Sequence, residues 1–246
     1  MNTAHREEDP QYPLVSAIML VGKCPLEDVK AAIKCFKSQT YPYKELIIIN
    51  NAFSQYEASG LSIHAQHNIF IVDTAVPMTA GMARNHGIAA AKGQIIAQFD
   101  ADYYHHPNRI ESQIGAIIQN EAQVCVLTET LNYSYVSGRA SYNTNDRKAI
   151  LGTMVMIRPA AIDYADVNKN EEKSILEKMT KAEMKIISLP RSDLACKLNI
   201  THGTRKHSIE SSSVSKAHIK IIKEMLQERA ASDNSALLTQ SESVNV

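Results

Sequence analysis

The sequence predicts an α/β protein: a doubly wound, mostly parallel sheet with helices on both faces. Two observations lead there. Short, wholly apolar runs such as Leu46-Ile47-Ile48-Ile49 lack polar alternation, as strands covered on both faces require. Between such runs lie segments whose apolar residues recur at helical spacing, so strand and helix alternate through the first half of the chain.

Val15–Val21 reads as the first strand, and Pro25 opens a helix along which Leu26, Val29, Ile33 and Phe36 share a face. Tyr41-Pro42 ends that helix, and Leu46–Ile49 and Ile69–Val72 follow as strands. A helix is expected from Met78 to Ala91, then a fourth strand, Ile95–Phe99, that runs directly into Asp100-Ala101-Asp102. Pro107 starts a helix through Ile110, Ile114, Ile117 and Ile118, and Val124–Leu127 is the next strand. Beyond it the alternation fades. Asn132–Lys148 reads as a loop or hairpin, Gly152–Arg158 as a strand, Glu171–Lys181 as a helix and Met184–Leu189 as a strand. From Ser208 a helix capped by Ser211-Ser212-Ser213 is expected, with Val214, Ala217, Ile221, Ile222 and Met225 on one apolar stripe. That stripe must be covered by the domain or by a second copy, which makes the helix a candidate homo-oligomer contact. The expected division is a polar arm (1–12), a main domain (13–207) with halves 13–130 and 131–207, a C-terminal helix (208–231) and a disordered tail (232–246).

The 246 residues, 44% hydrophobic and 21% charged, have ordinary globular composition and are enough for a sizeable core. A formal net charge of zero argues against nucleic acid or an anionic membrane surface as the main partner. No apolar run approaches the ~18 residues of a membrane span, and Met1–Pro10 lacks a signal peptide's apolar stretch, so a cytoplasmic location is expected. Cys24, Cys35, Cys125 and Cys196 lie far apart without CxxC pairing, and are expected as reduced core thiols.

In an open α/β sheet, ligands gather beyond the carboxyl ends of the strands. Three such ends carry polar residues: Gly22-Lys23, Asn50-Asn51 and Asp100-Ala101-Asp102. In an extended segment residues two apart point the same way, so Asp100 and Asp102 could face one hard cation that also binds phosphate. The alternative is that Asp102 or Asn108 merely caps the helix near Pro107. His105 and His106 read as loop residues, because adjacent side chains rarely converge on one ion. Glu171-Glu172 could equally be ordinary acidic residues in a first helical turn.

Five blocks settle more. Pro13–Ile18, Ser38-Gln39-Thr40-Tyr41-Pro42, Glu45–Asn51, Ala83–Gly93 (with Ala83-Arg84-Asn85-His86-Gly87 and Ala91-Lys92-Gly93) and Phe99–Asp102 follow in order. Together they resemble the family-two glycosyltransferases of GT-A fold, over roughly Tyr12 to Ile118 and more faintly from Gly152 to Lys206. The resemblance implies that Asn50, with Asn51 beside it, falls on the donor's nucleoside, and Arg84 near the base or diphosphate. It puts Asp100 on the ribose side of the D-x-D, Asp102 on the metal, and Glu172 on the general base. His202, in a late His-Gly segment, is a further candidate metal ligand or a surface-loop residue. The implied cofactor is Mn²⁺ or Mg²⁺. The implied reaction is inverting transfer of a sugar from a nucleotide sugar, UDP-sugar by default, to a hydroxyl on a saccharide, lipid-linked or protein acceptor.

The chain also departs from the family's pattern. Leu20-Val21-Gly22-Lys23 replaces the usual threonine- and tyrosine-bearing segment, Asn50-Asn51 replaces an Asp pair, Glu172 replaces Asp, and there is no Trp. Two rival readings follow: a catalytically silent nucleotide-binding module of the same fold, and a D-x-D phosphoryl transferase. The second expects its nucleophilic aspartate after the first strand.

Overall fold

Alternation within β1 (Val15–Val21) sorts its side chains onto two cores, one on each face of the sheet. The computed structural model describes residues 12–22, 24–51, 68–134, 137–144, 150–158, 163–199, 215–216, 218–224 and 226–227. On one face Val15, Ala17, Met19 and Val21 join Leu46 and Ile48 of β2 (Lys44–Asn50). They pack against Val29, Ile33 and Phe36 of α1 (Leu26–Lys37) and Ile110, Ile114 and Ile117 of α3 (Arg109–Gln119). On the other, Ile18, Ile47 and Ile49 meet Ala83 of α2 (Ala80–Ala90) and Ile175 and Met179 of α4 (Glu171–Lys181). Each such side chain contributes ~1.5–3 kcal/mol on burial. Gly87 lets α2 lie close on β1, since a Cβ there would stand 2.7 Å from Ile18 Cγ2.

The remaining strands of this seven-stranded sheet are β3 (Ile69–Asp73), β4 (Ile95–Gln98), β6 (Val124–Leu127), β9 (Ile150–Ile157) and β10 (Ile186–Leu189), in the order β10-β6-β9-β4-β1-β2-β3. Every pairing is parallel except those of β9, which runs antiparallel to β4 and β6. The expected mostly parallel α/β architecture, helices on both faces, is thus present.

A second, four-stranded sheet has the order β5-β11-β7-β8, from β5 (Tyr103–His105), β7 (Glu129–Ser134), β8 (Ala140–Thr144) and β11 (Ala195–Asn199). β7 and β8 form the hairpin expected near Asn132–Lys148. His105, read as a loop residue, is instead buried in β5, which pairs with the distant β11. The helix at α3 is capped neither by Asp102 nor by Asn108. Gln39 Oε1 accepts the Ile110 N–H at 3.1 Å, and Asn108 makes no side-chain cap bond.

Cys35, Cys125 and Cys196 are buried and Cys24 is half-buried. Helical residues at 218–224 place Ile222 and Leu226 in the same core as α1, so this part of the stripe is covered by the chain itself. His218 meets Ser192 Oγ at 3.0 Å and stacks on Tyr142. Residues 1–11, Lys23, His202, Ser211-Ser212-Ser213, Val214, Ala217, Met225 and 232–246 lie outside the described residues. Among the described residues no helix is long and apolar enough to cross a membrane.

Candidate active site

The D-x-D segment, taken from its spacing as extended, is a turn between β4 and β5. Backbone bonds hold that turn. The Asp100 carbonyl accepts the Tyr103 N–H at 3.2 Å and His105 Nε2 at 3.1 Å, and the Asp102 carbonyl accepts the Leu198 N–H at 2.7 Å. Burial, reinforced by nearby Arg109, keeps the His105 imidazole neutral, with its pKa well below the usual range. A carbonyl acceptor at Nε2 places the ring proton there. His105 therefore supports the turn from behind.

Arg84, on α2, gathers the carboxylates. Its Nη1 and Nη2 form a fork on Asp100 Oδ1 and Oδ2 at 3.0 and 3.1 Å. Nη2 also reaches Glu172 Oε1 at 3.4 Å, and Nε lies 3.5 Å from Glu171 Oε1. Burial lowers the guanidinium pKa, but Asp100, Tyr164 and Glu172 outweigh it and the net direction is up. The Tyr164 ring lies under the guanidinium, 6.0 Å from its carbon, and the Tyr164 hydroxyl pairs with Gln98. An arginine fork is the side chain suited to bidentate carboxylate binding in a dry site.

Negative charge remains in excess. Burial first, then Asp100 and Glu171 against the pull of Arg84, pushes Glu172 up to about 7. Burial, then Asp100, pushes Asp102 up to about 6 against Lys197, whose Nζ is 3.8 Å from Asp102 Oδ2. Asp102 is the open member, with 37% of its side chain exposed against 16% for Asp100. An open carboxylate in a field of unneutralised charge is what a hard divalent cation needs.

A model of Glycosyl transferase family 2 matches residues 16–178, well over half of the chain, and spans the D-x-D, Arg84 and Glu172. The chain belongs to that family. Solved structures similar to this chain include mannosyltransferase PcManGT from Pyrobaculum calidifontis in complex with GDP-Man and Mn²⁺. That chain is 12% identical with a TM-score of 0.60, over 80% of this chain and 59% of that one. Another is S. aureus TarS 1–349 in complex with UDP-GlcNAc, 13% identical with a TM-score of 0.58, over 87% of this chain and 66% of that one. TarS 1–349 with UDP gives 12% and 0.56, covering 87% and 64%. The chain therefore spans about three fifths to two thirds of those chains, and the likeness establishes the GT-A fold. No curated protein matches the chain.

At the end of β2, Asn50 and Asn51 diverge. Asn50, closing β2, donates from Nδ2 to Asp73 Oδ1 of β3 at 2.6 Å, so an amide and a carboxylate stand together there. Asn51, expected with it on the donor, is committed elsewhere. Its Nδ2 donates to the Met78 carbonyl at 2.8 Å and its Oδ1 accepts the Met78 N–H at 2.9 Å and the Thr74 hydroxyl at 3.3 Å. Asn51 thus shapes the 74–78 loop. Among the described residues no three His, Cys, Asp or Glu side chains form a ready metal cage.

Three members of the site were not singled out from the sequence: Lys197, Tyr164 and Arg109. Arg109 is wholly buried behind the D-x-D, donating to the Gln98 carbonyl at 2.7 Å, the Thr153 carbonyl at 3.2 Å and Gln113 Oε1 at 3.0 Å. Burial lowers its pKa to about 10. Its signal was available: Arg109 and Gln113 are polar residues on the same helical face as Ile110, Ile114 and Ile117.

The segment before α4 docks on the start of α2. Thr79 donates to Asp166 Oδ1 at 2.6 Å, Gly81 N–H to the Val167 carbonyl at 3.1 Å, and Asn85 and Tyr164 exchange two bonds. Gly81 has no room for a side chain, because a Cβ would fall 1.8 Å from the Ala165 carbonyl oxygen. Gly81→Ala is therefore expected to push this segment, and Glu172 with it, away from Arg84. The expected cost is ~1–3 kcal/mol of stability, read as a lower midpoint in urea. An unchanged midpoint would show that the loop yields freely.

Proposed function

We propose that this glycosyltransferase moves a sugar from a nucleoside-diphosphate sugar, UDP-sugar by default, to an acceptor hydroxyl with inversion, using Mn²⁺ or Mg²⁺. One observation carries the reading: Arg84 ties Asp100 of the D-x-D to Glu172 of α4, so a donor-side carboxylate and a candidate base share one site. The neighbours solved with GDP-Man and Mn²⁺, with UDP and with UDP-GlcNAc support the donor class.

Each residue then has a task. Asn50, with Asp73, meets the nucleoside, and Asp100, fixed by the Arg84 fork, meets the ribose. Asp102 fits as the ion's protein ligand: an open, hard oxygen donor, leaving other positions for phosphate and water. Asp100 fits less well, because both of its oxygens are already held by Arg84. When bound, Mn²⁺ or Mg²⁺ would neutralise charge on the departing diphosphate. Glu172, with a pKa near 7, takes the proton of the acceptor hydroxyl as its oxygen bonds the anomeric carbon from the face opposite the diphosphate. The bond to the diphosphate breaks and its electron pair leaves with the nucleotide.

Placement of the D-x-D after β4 rather than β1, together with family membership, sets the phosphoryl-transferase reading aside. The test is calorimetry of UDP and GDP with and without Mn²⁺. Asp102→Asn is expected to lose the Mn²⁺-dependent increment in nucleotide affinity while keeping the metal-free part. An intact increment would remove Asp102 from the metal. Nucleotide-sugar binding without hydrolysis or transfer would point to the silent module.

A further inference from the structure

The cations near the D-x-D are not equally available to a ligand. Arg84 is 6% exposed, with Nη1 and Nη2 bonded to Asp100 and Glu172 and Nε 3.5 Å from Glu171 Oε1. Arg109 is wholly buried and bonded to main-chain carbonyls and Gln113. Lys197 differs. Its side chain is 44% exposed, and its Nζ stands 3.8 Å from Asp102 Oδ2 and 5.4 Å over the Tyr103 ring.

Its position is built in. Lys197 pairs in register with Tyr103 across β11 and β5, and the next residue's N–H holds the Asp102 carbonyl. A separation of 3.8 Å is an ion pair without a close hydrogen bond, so the ammonium keeps donors for a third group. Resting on the reading of the protein as a nucleotide-sugar transferase, we propose that Lys197 contacts the donor's diphosphate beside Asp102. The chain thereby supplies in its own side chain part of the counter-charge otherwise left to the divalent ion.

Two consequences have opposite signs. Diphosphate affinity keeps a component that survives metal removal, because a lysine binds phosphate as a point charge. Cation affinity at Asp102 is held down, because like charges a few ångströms apart repel. Lys197→Met should therefore weaken UDP or GDP binding in EDTA by about tenfold, the scale of one lost charge-assisted contact. The same variant should bind Mn²⁺ alone more tightly, read from free Mn²⁺ by electron paramagnetic resonance. Uridine and guanosine, which lack phosphates, should bind it as they bind the parent. Lys197→Arg should restore nucleotide affinity. If the Met variant melts early, Lys197→Gln carries the same comparison. Unchanged diphosphate affinity, or equal losses for nucleoside and nucleotide, overturns the role of Lys197. Failure of the parent protein to bind either nucleotide overturns instead the functional reading beneath it.

Discussion

Exchanging Glu172 for glutamine is expected to lower turnover by about 10²–10⁴-fold while leaving UDP and Mn²⁺ affinities nearly intact. The substitution keeps size and polarity and removes only the proton acceptor. Glu172 is the member of its pair with open surface, its side chain 25% exposed against 11% for Glu171, and it sits in the first turn of α4 facing the D-x-D through Arg84. Asn170, in the left-handed conformation with φ 62°, turns the chain into that helix. A base held near 7 should also leave a mark on the pH profile, with kcat/KM rising as pH climbs through about 7. The Gln variant should lose that limb. Glu171→Gln is the control, expected to be mild. If the two variants exchange behaviours, Glu171 is the base. If neither loses turnover, the proton goes elsewhere.

Most of the main sheet was legible because its strands announce themselves locally. Ile47–Ile49, and Val15–Val21 apart from Ser16, are apolar on both faces, so a strand buried on both sides was readable without knowing what covers it. The second sheet was not. β5 is Tyr103-Tyr104-His105 and β11 is Ala195–Asn199, short segments without clear alternation whose pairing joins residues about ninety positions apart. Hence His105 read as loop, and Lys197 drew no notice. The ordered blocks were informative for a physical reason that only the fold displays. Ser16, Glu45, Lys92 and Gly93 meet in one buried network, with Glu45 Oε1 accepting from Ser16 Oγ at 2.6 Å and from the Lys92 N–H at 2.7 Å. Gln39 likewise caps α3. Asn51 shows the limit: its neighbourhood to Asn50 in sequence suggested a shared role, yet opposite faces of a strand end send one to Asp73 and the other to Met78.

Removing the Arg84 guanidinium should produce the largest loss of stability. Arg84→Met leaves Asp100, Glu171 and Glu172 without the cation that joins them, and stripping one partner from a buried ionic cluster typically costs ~3–5 kcal/mol. The loss should depend on pH, and its sign follows from the carboxylates. In the intact protein Glu172 is raised to about 7 and Asp102 to about 6, above ordinary carboxylate values of 4.5 and 3.8. Between those limits the folded state binds more protons than the unfolded one, so this pair's contribution to stability is full at low pH and is lost as pH rises through about 7. Without Arg84 the carboxylates ionise still less readily, and the decline continues to higher pH. The deficit of Arg84→Met relative to the parent should therefore be greater near about pH 8 than near about pH 5.5, measured by urea denaturation at both. Arg84→Lys should fall between them, keeping the charge but not the fork that holds both oxygens of Asp100. A deficit equal at the two pH values would mean that Arg84 acts through packing against Tyr164 alone. The carboxylate cluster would then not be held together by charge.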